Sequence, residues 1–150
     1  MSEPFQNTSI GFLEPSDLES NGDSTLITIS KNNPDTLYLL MTYANWCGPC
    51  KMTKPAYAEL SRFLDKEKLT KIRLLAINTT GVLESEKNWG SIAKDKLGVT
   101  AYPTISVVQG GKVIGKHEHS RDMAGFLKTL LKHSDKHPHG AKLESYKPPQ

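Results

Sequence analysis

Cys47 and Cys50 are the only cysteines in the chain, and two residues separate them. An apolar run over residues 37–41 precedes them and is typical of a buried strand. After them, apolar residues recur at spacings of three and four, which indicates an amphipathic helix: Met52, Ala56, Leu60, Phe63 and Leu64. The two thiols are therefore predicted to lie where a strand passes into a helix.

The position of each cysteine at that junction predicts its chemistry. Unpaired N–H groups and the positive end of the helix dipole favour an anion, so Cys47 at the helix start is expected to ionise readily. Gly48 leaves room for the turn, and Pro49 suits the first helical turn, where its missing N–H is not needed. Cys50 then faces Cys47 from within the helix, and the pair can close and reopen a disulfide.

Residues 46–51 have the sequence Trp-Cys-Gly-Pro-Cys-Lys, and Pro55 stands eight residues after Cys47. This pattern resembles thioredoxin and is far more specific than two spaced cysteines alone. Tyr102-Pro103-Thr104 resembles the cis-proline loop of that family, and Gly110-Gly111 resembles the turn of its last hairpin. The resemblance covers roughly residues 36–133. It implies an α/β thioredoxin fold, with a central mixed β-sheet flanked by helices.

Length and composition predict one domain, because 150 residues with 37% hydrophobic content can bury one core. We expect a polar N-terminal extension over residues 1–22, part of which can be ordered, a thioredoxin-like domain over 23–133 and a disordered tail over 134–150. The net charge of +3 gives no case for nucleic acid as a partner. No apolar run approaches about eighteen residues, and no secretory signal precedes the domain, so we expect a cytoplasmic protein without a membrane partner.

The remaining pattern predicts alternating strands and helices. Strands are expected over residues 10–13, 25–30, 72–78, 105–108 and 113–117, and a short helix over 15–18. Two longer helices are expected, one from Trp89 to Leu97 and one from Met123 to Leu131. Residues 32–35 are too few for a crossover helix, so strand 25–30 is expected in an antiparallel hairpin with the next strand or as an inserted edge strand. Gly98 is predicted to end one helix, and Ser120 to cap the last.

The resemblance implies a protein-disulfide reductase without a cofactor beyond the Cys47–Cys50 disulfide. Cys47 would attack a disulfide in a substrate protein, and Cys50 would resolve the mixed disulfide. Trp46 and the loop of Tyr102 and Pro103 would form an apolar groove for the substrate. A thioredoxin reductase or a glutathione-type system would then reduce the pair again, which places the protein in electron transport and cell redox homeostasis.

Three positions depart from the family pattern. The buried Asp that assists proton transfer at the resolving thiol is replaced by Met41, and its Lys partner by Leu74. The loss of both charges together is physically consistent, because one buried charge without its partner would destabilise the fold by about 3–5 kcal/mol. Release of the mixed disulfide is therefore predicted to be slow near neutral pH and to accelerate with added hydroxide. His119 stands where thioredoxin carries Gly, and it either supplies charge or a proton to Cys47 or is simply solvated.

Other classes of function stay open at this point. Cys47, Cys50, His133 and His137 supply two sulfurs and two nitrogens, the ligand set of a tetrahedral zinc site, but their spacing is unlike that of a zinc finger and no metal is expected. A thioredoxin-fold binding or accessory module with little redox role would use the polar residues 79–88 as its contact surface. Oxidases and isomerases of the fold typically carry His between the cysteines, whereas Gly48 and Pro49 favour a reductase.

Overall fold

The structure, a computed structural model, describes residues 5–80, 88–134 and 143. Its strands are β1 (Gly11–Phe12), β2 (Leu18–Asn21), β3 (Ser24–Ile27), β4 (Leu37–Tyr43), β5 (Ile72–Asn78), β6 (Thr104–Gln109) and β7 (Lys112–Lys116). Its α-helices are α1 (Thr28–Asn32), α2 (Gly48–Lys66), α3 (Trp89–Leu97) and α4 (Met123–Lys132), and a short 3-10 helix spans Pro15–Asp17.

A five-stranded mixed sheet has the strand order β1-β5-β4-β6-β7. The central strand β4 pairs in parallel with β5 and antiparallel with β6. Helix α2 lies between β4 and β5 in the chain and supplies the crossover that two parallel strands require. All seven residues of β4 are buried, as expected for a strand whose sheet is covered on both faces. The predicted α/β architecture is confirmed.

The sheet separates two apolar clusters. The larger one packs α2 and α4 against one face and contains both cysteines. The smaller one packs α3 and the chain near Leu13 against the other face, where the indole N–H of the fully buried Trp89 donates to Leu13 O at 3.2 Å. The cysteine pair therefore belongs to the side of the sheet that α2 and α4 cover.

The first described residues complete the larger cluster. Phe5 is 1% exposed, and its ring centroid lies 5.9 to 6.0 Å from those of Phe12, Tyr43 and Tyr57. Strand β1 adds to the sheet beside β5 in parallel. The short strand and short helix predicted for this segment are confirmed, whereas the division into three regions at residues 22 and 134 stays a prediction.

The strand prediction for residues 25–30 is wrong in its second half and in its pairing. Residues 28–30 belong to α1, and β3 pairs with β2 in a separate two-stranded sheet instead of with β4. Gly22, at φ +65°, supplies the tight turn between β2 and β3. Ile27 and Ser30 are the buried residues of the stretch, a spacing of three that suits a helix. Ser30 Oγ accepts a hydrogen bond from Gly111 N at 2.9 Å, which holds α1 against the turn between β6 and β7.

The start of the last helix also differs from the prediction. Asp122, not Ser120, is the N-cap of α4, and its Oδ1 accepts from Gly125 N at 2.8 Å. Ser120 Oγ donates to the same carboxylate at 2.7 Å. An anionic acceptor suits the positive end of the helix dipole, so the carboxylate takes the capping position and the serine supports it. The predicted end of α3 at Gly98, at φ +69°, is confirmed.

Parts of three predicted segments lie outside the described residues. These are residues 1–4 of the N-terminal extension, residues 81–87 of the polar stretch, and residues 135–142 and 144–150 of the tail. Within the described ranges, none of the helices combines the length and apolar content needed to cross a membrane.

Candidate active site

The two cysteines occupy the start of α2 and are joined by a disulfide. Cys47 is the N-cap, so its Sγ accepts a hydrogen bond from Cys50 N at 3.2 Å. Cys50 is fully buried, Cys47 is 4% exposed, and their Cα atoms are 5.2 Å apart. Once the disulfide is reduced, the same N–H and the helix dipole would favour a thiolate at Cys47. The arrangement therefore distinguishes an outer sulfur, held as an acceptor, from an inner one.

The residues between the cysteines fit the turn. Gly48 and Pro49 are exposed, and Pro49 takes an early helical position, where no hydrogen bond is lost. The carbonyl of Pro49 accepts from Thr53 Oγ1 at 2.8 Å, which adds a side-chain contact to the first turn. The predicted junction of strand and helix is thus present, with three residues between the end of β4 and Cys47.

An aromatic wall stands beside the cysteine pair. Trp46 is 71% exposed, and its ring meets that of Tyr102 edge-on at 5.8 Å between centroids. The peptide bond between Tyr102 and Pro103 is cis, as the resemblance implies. A groove of about 450 Å³ adjoins Trp46 and Tyr102 and continues toward α3. The structure thus brings Trp46 and Tyr102 to one rim, whereas Pro103, which follows Tyr102 in the chain, is buried. The role of all three in substrate binding stays a prediction.

The inner side of the pair is apolar. Met41 is fully buried and Leu74 is 2% exposed, and both belong to the cluster that contains Cys50. Across the sheet, Met41 pairs with Ala76 on one side and Ile105 on the other. The strand residues beside Met41 are therefore apolar, whereas Leu74 pairs with Leu39 and not with Met41. The tuning role of Met41 and Leu74 stays a prediction.

Lys54 is a charged residue that the sequence analysis does not single out. It is 6% exposed, and its Nζ lies 4.1 Å from the ring centroid of Tyr43, a cation–π contact. Burial lowers the pKa of Lys54 from its ordinary value, and the nearby charge of Lys51 lowers it further. The spacing of four from Cys50 is the signal that could have found it, since residues at that spacing share a helix face.

A polar network fixes the backbone just before Trp46. Asn45 N donates to Thr80 Oγ1 at 2.8 Å, and Asn78 Nδ2 donates to Asn45 Oδ1 at 3.2 Å. Thr80 returns two hydrogen bonds to Asn78 Oδ1, from its N–H at 3.0 Å and its hydroxyl at 2.8 Å. The ends of β4 and β5 thereby hold the segment that presents Trp46 and Cys47. No sequence signal pointed to this network.

The predicted tuning residue His119 is exposed, and its ring centroid lies 6.1 Å from that of His117. The neighbouring His117 is the more enclosed of the two: Nδ1 lies 2.5 Å from Thr129 Oγ1, and Nε2 lies 2.7 Å from Ser120 O. A carbonyl only accepts, so Nε2 carries the proton in the neutral ring and Thr129 donates to Nδ1. Whether His119 acts on Cys47 stays a prediction.

The zinc hypothesis finds no cluster to support it in the described part of the chain, which contains no group of three or more His, Cys, Asp or Glu placed to bind a metal. Cys47 and Cys50 are bonded to each other, and the fourth proposed ligand, His137, lies outside the described residues.

A family model named Thioredoxin matches residues 27–132, a range that includes both cysteines and the cis-proline loop. The chain belongs to the thioredoxin family. Thiol–disulfide oxidoreductases make up this family, and the Cys47–Cys50 pair forms the disulfide that such chemistry uses. The resemblance and the fold class inferred from the sequence are both confirmed.

The relatives of this thioredoxin-family chain include proteins of two types. It is 30% identical over 115 residues to the probable protein disulfide-isomerase A4 of Caenorhabditis elegans, covering 73% of this chain and 17% of that protein. It is 32% identical over 90 residues to the F-type chloroplastic thioredoxin of Mesembryanthemum crystallinum, covering 60% of this chain and 41% of that protein. The chain thus spans less than half the length of either protein, and the matches do not separate a reductase from an isomerase.

A solved structure, the complex of ferredoxin:thioredoxin reductase and thioredoxin f2, shares the fold at a TM-score of 0.57 and 22% identity. The similarity covers 83% of this chain and 94% of the matched chain.

Proposed function

We propose that this protein reduces disulfides in other proteins through a Cys47/Cys50 cycle. The observation that carries the proposal is the position of Cys47 as the N-cap of α2, where its sulfur already accepts an N–H at 3.2 Å. The complete burial of Cys50 supports the assignment of the second, resolving role to that thiol.

Each step of the cycle balances. The Cys47 thiolate attacks one sulfur of the substrate disulfide, forming a mixed disulfide while the other substrate sulfur leaves as a thiolate. Cys50 then loses its proton and attacks Cys47 Sγ, which forms the Cys47–Cys50 disulfide and releases the second substrate thiol. Two electrons pass from the protein to the substrate, and an external reductant must return them.

The proposal includes the surroundings of the reaction. Trp46 and the Tyr102–Pro103 loop would hold an extended substrate segment, and the protein would work in the cytoplasm, where thiols are kept reduced. A thioredoxin reductase or a glutathione-type system would supply the electrons. The fold similarity to thioredoxin f2 in complex with ferredoxin:thioredoxin reductase supports a ferredoxin-dependent reductase as one candidate for the recycling partner.

Reduction of insulin by the dithiol form tests the activity. We expect turnover by the wild type in the presence of a reductant, and none above background with Cys47→Ser. Cys50→Ser is the matched control, because it should still attack the substrate but accumulate a stable mixed disulfide. Insulin reduction by the wild type that is no faster than that by Cys47→Ser would reject the reductase and favour the binding-module alternative.

The similarity to a protein disulfide-isomerase makes isomerisation the second candidate. The redox potential measured against glutathione separates the two, since thioredoxin lies at about −270 mV and protein disulfide isomerase at about −180 mV. We expect a value nearer the first. A value nearer the second, together with recovery of activity in scrambled ribonuclease, would favour the isomerase.

A further inference from the structure

The groove beside Trp46 contains polar groups that the cysteine cycle does not use. Its lining consists of Trp46, Tyr102, Gly90, Lys94 and residues 99–101. Tyr102 lies close to α3, because a Cβ at Gly90 would be in van der Waals contact with Tyr102 Oη at 3.4 Å. Among the described residues, neither the Lys94 ammonium nor the Tyr102 hydroxyl has a hydrogen-bond or ion-pair partner.

The charge of the groove has one sign. Of its described lining residues, Lys94 alone carries a formal charge, and no carboxylate lies among them. The rest of the described lining is aromatic, small or weakly polar, so none of these residues cancels the charge of the ammonium. By charge complementarity, an anionic side chain is the group that this wall would attract, and the phenol of Tyr102 can donate a hydrogen bond to the same group.

We propose that this groove selects disulfide substrates with an acidic side chain a few residues from the cysteine that Cys47 attacks. The inference rests on the proposed reductase function. The groove begins at Trp46, next to Cys47, and at Tyr102, next to Pro103. An extended peptide advances about 3.3 Å per residue, so a chain whose cysteine reaches Cys47 would pass along this wall with neighbouring residues. The Trp46 ring would cover apolar parts of that segment.

The kinetic test uses two disulfide-linked peptide dimers that differ only in the residues around the cysteine, which are Glu in one and Lys in the other. The reduced protein is mixed with each, and the second-order rate of its oxidation is followed. Reaction of each peptide with dithiothreitol, an uncharged thiol, corrects for intrinsic reactivity. We expect the wild type to prefer the acidic peptide about fivefold, the upper range for a solvent-accessible ion pair.

Charge variants on one helix provide the matched comparison. Lys94→Glu should reverse the preference, whereas Lys96→Glu changes the net charge equally but lies outside this groove and should retain it. High salt, near 1 M, should reduce the preference because the Debye length falls to about 3 Å. The proposal is overturned by the same ratio of rates in wild type and Lys94→Glu, or by an equal loss of preference in Lys96→Glu.

Equilibrium binding separates this inference from the proposed function. Protein carrying Cys47→Ser and Cys50→Ser is titrated with peptides in which Ala replaces Cys, and tryptophan fluorescence reports occupancy. A preference for the acidic peptide that Lys94→Glu abolishes supports the groove assignment even if no peptide is reduced, which would reject the reductase alone. Equal affinity for both peptides, with reduction intact, would reject the groove assignment alone.

Discussion

Replacing Met41 by Asp tests whether an apolar inner site slows the second step of the redox cycle. Met41 is fully buried in the cluster that contains Cys50, and its partners across the sheet are Ala76 and Ile105. Its strand neighbours are therefore apolar, and Leu74, which pairs with Leu39 further along the same two strands, offers no compensating charge either. The introduced carboxyl would be a proton acceptor on the buried side of the cysteine pair.

The cost of Met41→Asp follows from burial. In such a site the pKa of a carboxyl rises by about three units from its reference of about 3.9. A folded state with a raised carboxyl pKa binds more protons than the unfolded state. This part of the variant's stability is therefore retained below the unfolded pKa of about 4, falls as the pH rises, and is fully lost once the pH passes the folded pKa near 7. At about 1.4 kcal/mol per unit, the loss reaches roughly 4 kcal/mol above that pH.

The benefit of the same change should appear in the release step. A positioned general base contributes about 10²- to 10⁴-fold, and near pH 7 about half of the introduced carboxyls would be ionised. We therefore expect release from the mixed disulfide to be at least tenfold faster than in Met41→Asn, the uncharged control of the same shape. Stopped-flow release of nitrothiobenzoate from a preformed mixed disulfide at Cys47 measures that step alone.

Two results would refute this explanation of the slow step. One is a wild-type release rate that does not change between about pH 6 and 9, the range around the reference thiol pKa. The other is equal release by Met41→Asp and Met41→Asn while urea unfolding shows both proteins folded. If Met41→Asp is unfolded at pH 7, the measurement starts at pH 5.5, where its carboxyl is mostly neutral.

Three further predictions concern stability. Phe5→Ala should lower the free energy of unfolding by about 3–5 kcal/mol in urea, because Phe5 fills the space between three aromatic rings, and Phe12→Ala, at a site 36% exposed, should cost clearly less. Burial lowers the pKa of His117, and the nearby charge of His119 lowers it further, so the folded state binds fewer protons than the unfolded state. Stability should be lost as the pH falls below about 6.5, and His117→Gln should reduce that loss more than His119→Gln does. Asp122→Ala should cost about 1 kcal/mol through the lost cap of α4, measured by thermal unfolding.

The junction around Cys47 is predictable from sequence because independent local signals agree there. An apolar run predicts β4, a three-and-four spacing predicts α2, and the turn residues between the cysteines suit the helix start. The end of α3 at Gly98 is also predictable from local sequence, since a glycine after an apolar stripe is a common end of a helix. Its φ of +69° is a conformation that glycine adopts without help from distant residues.

Features that depend on distant residues are not predictable in this way. The partner of β3 depends on the turn at Gly22 and on a contact of Ser30 with Gly111, which is 81 positions away in the chain. The burial of Lys54 depends on Tyr43, which comes from another element. A helix pattern assigns a lysine to the solvated face by default, and only the packing of that segment shows that this one is covered.

The two distinctive features of the site act on different steps, so their effects should be independent. Lys94 lies on the exposed groove and would influence the encounter that forms the mixed disulfide, whereas Met41 lies in the core and would influence its resolution. Distant positions without shared partners usually contribute additively. In the double variant Lys94→Glu with Met41→Asp, the peptide preference should match that of the first change and the release rate that of the second. If either value differs, the charge of the substrate influences the rate at which Cys50 resolves the mixed disulfide, and the two sides of the cysteine pair are coupled.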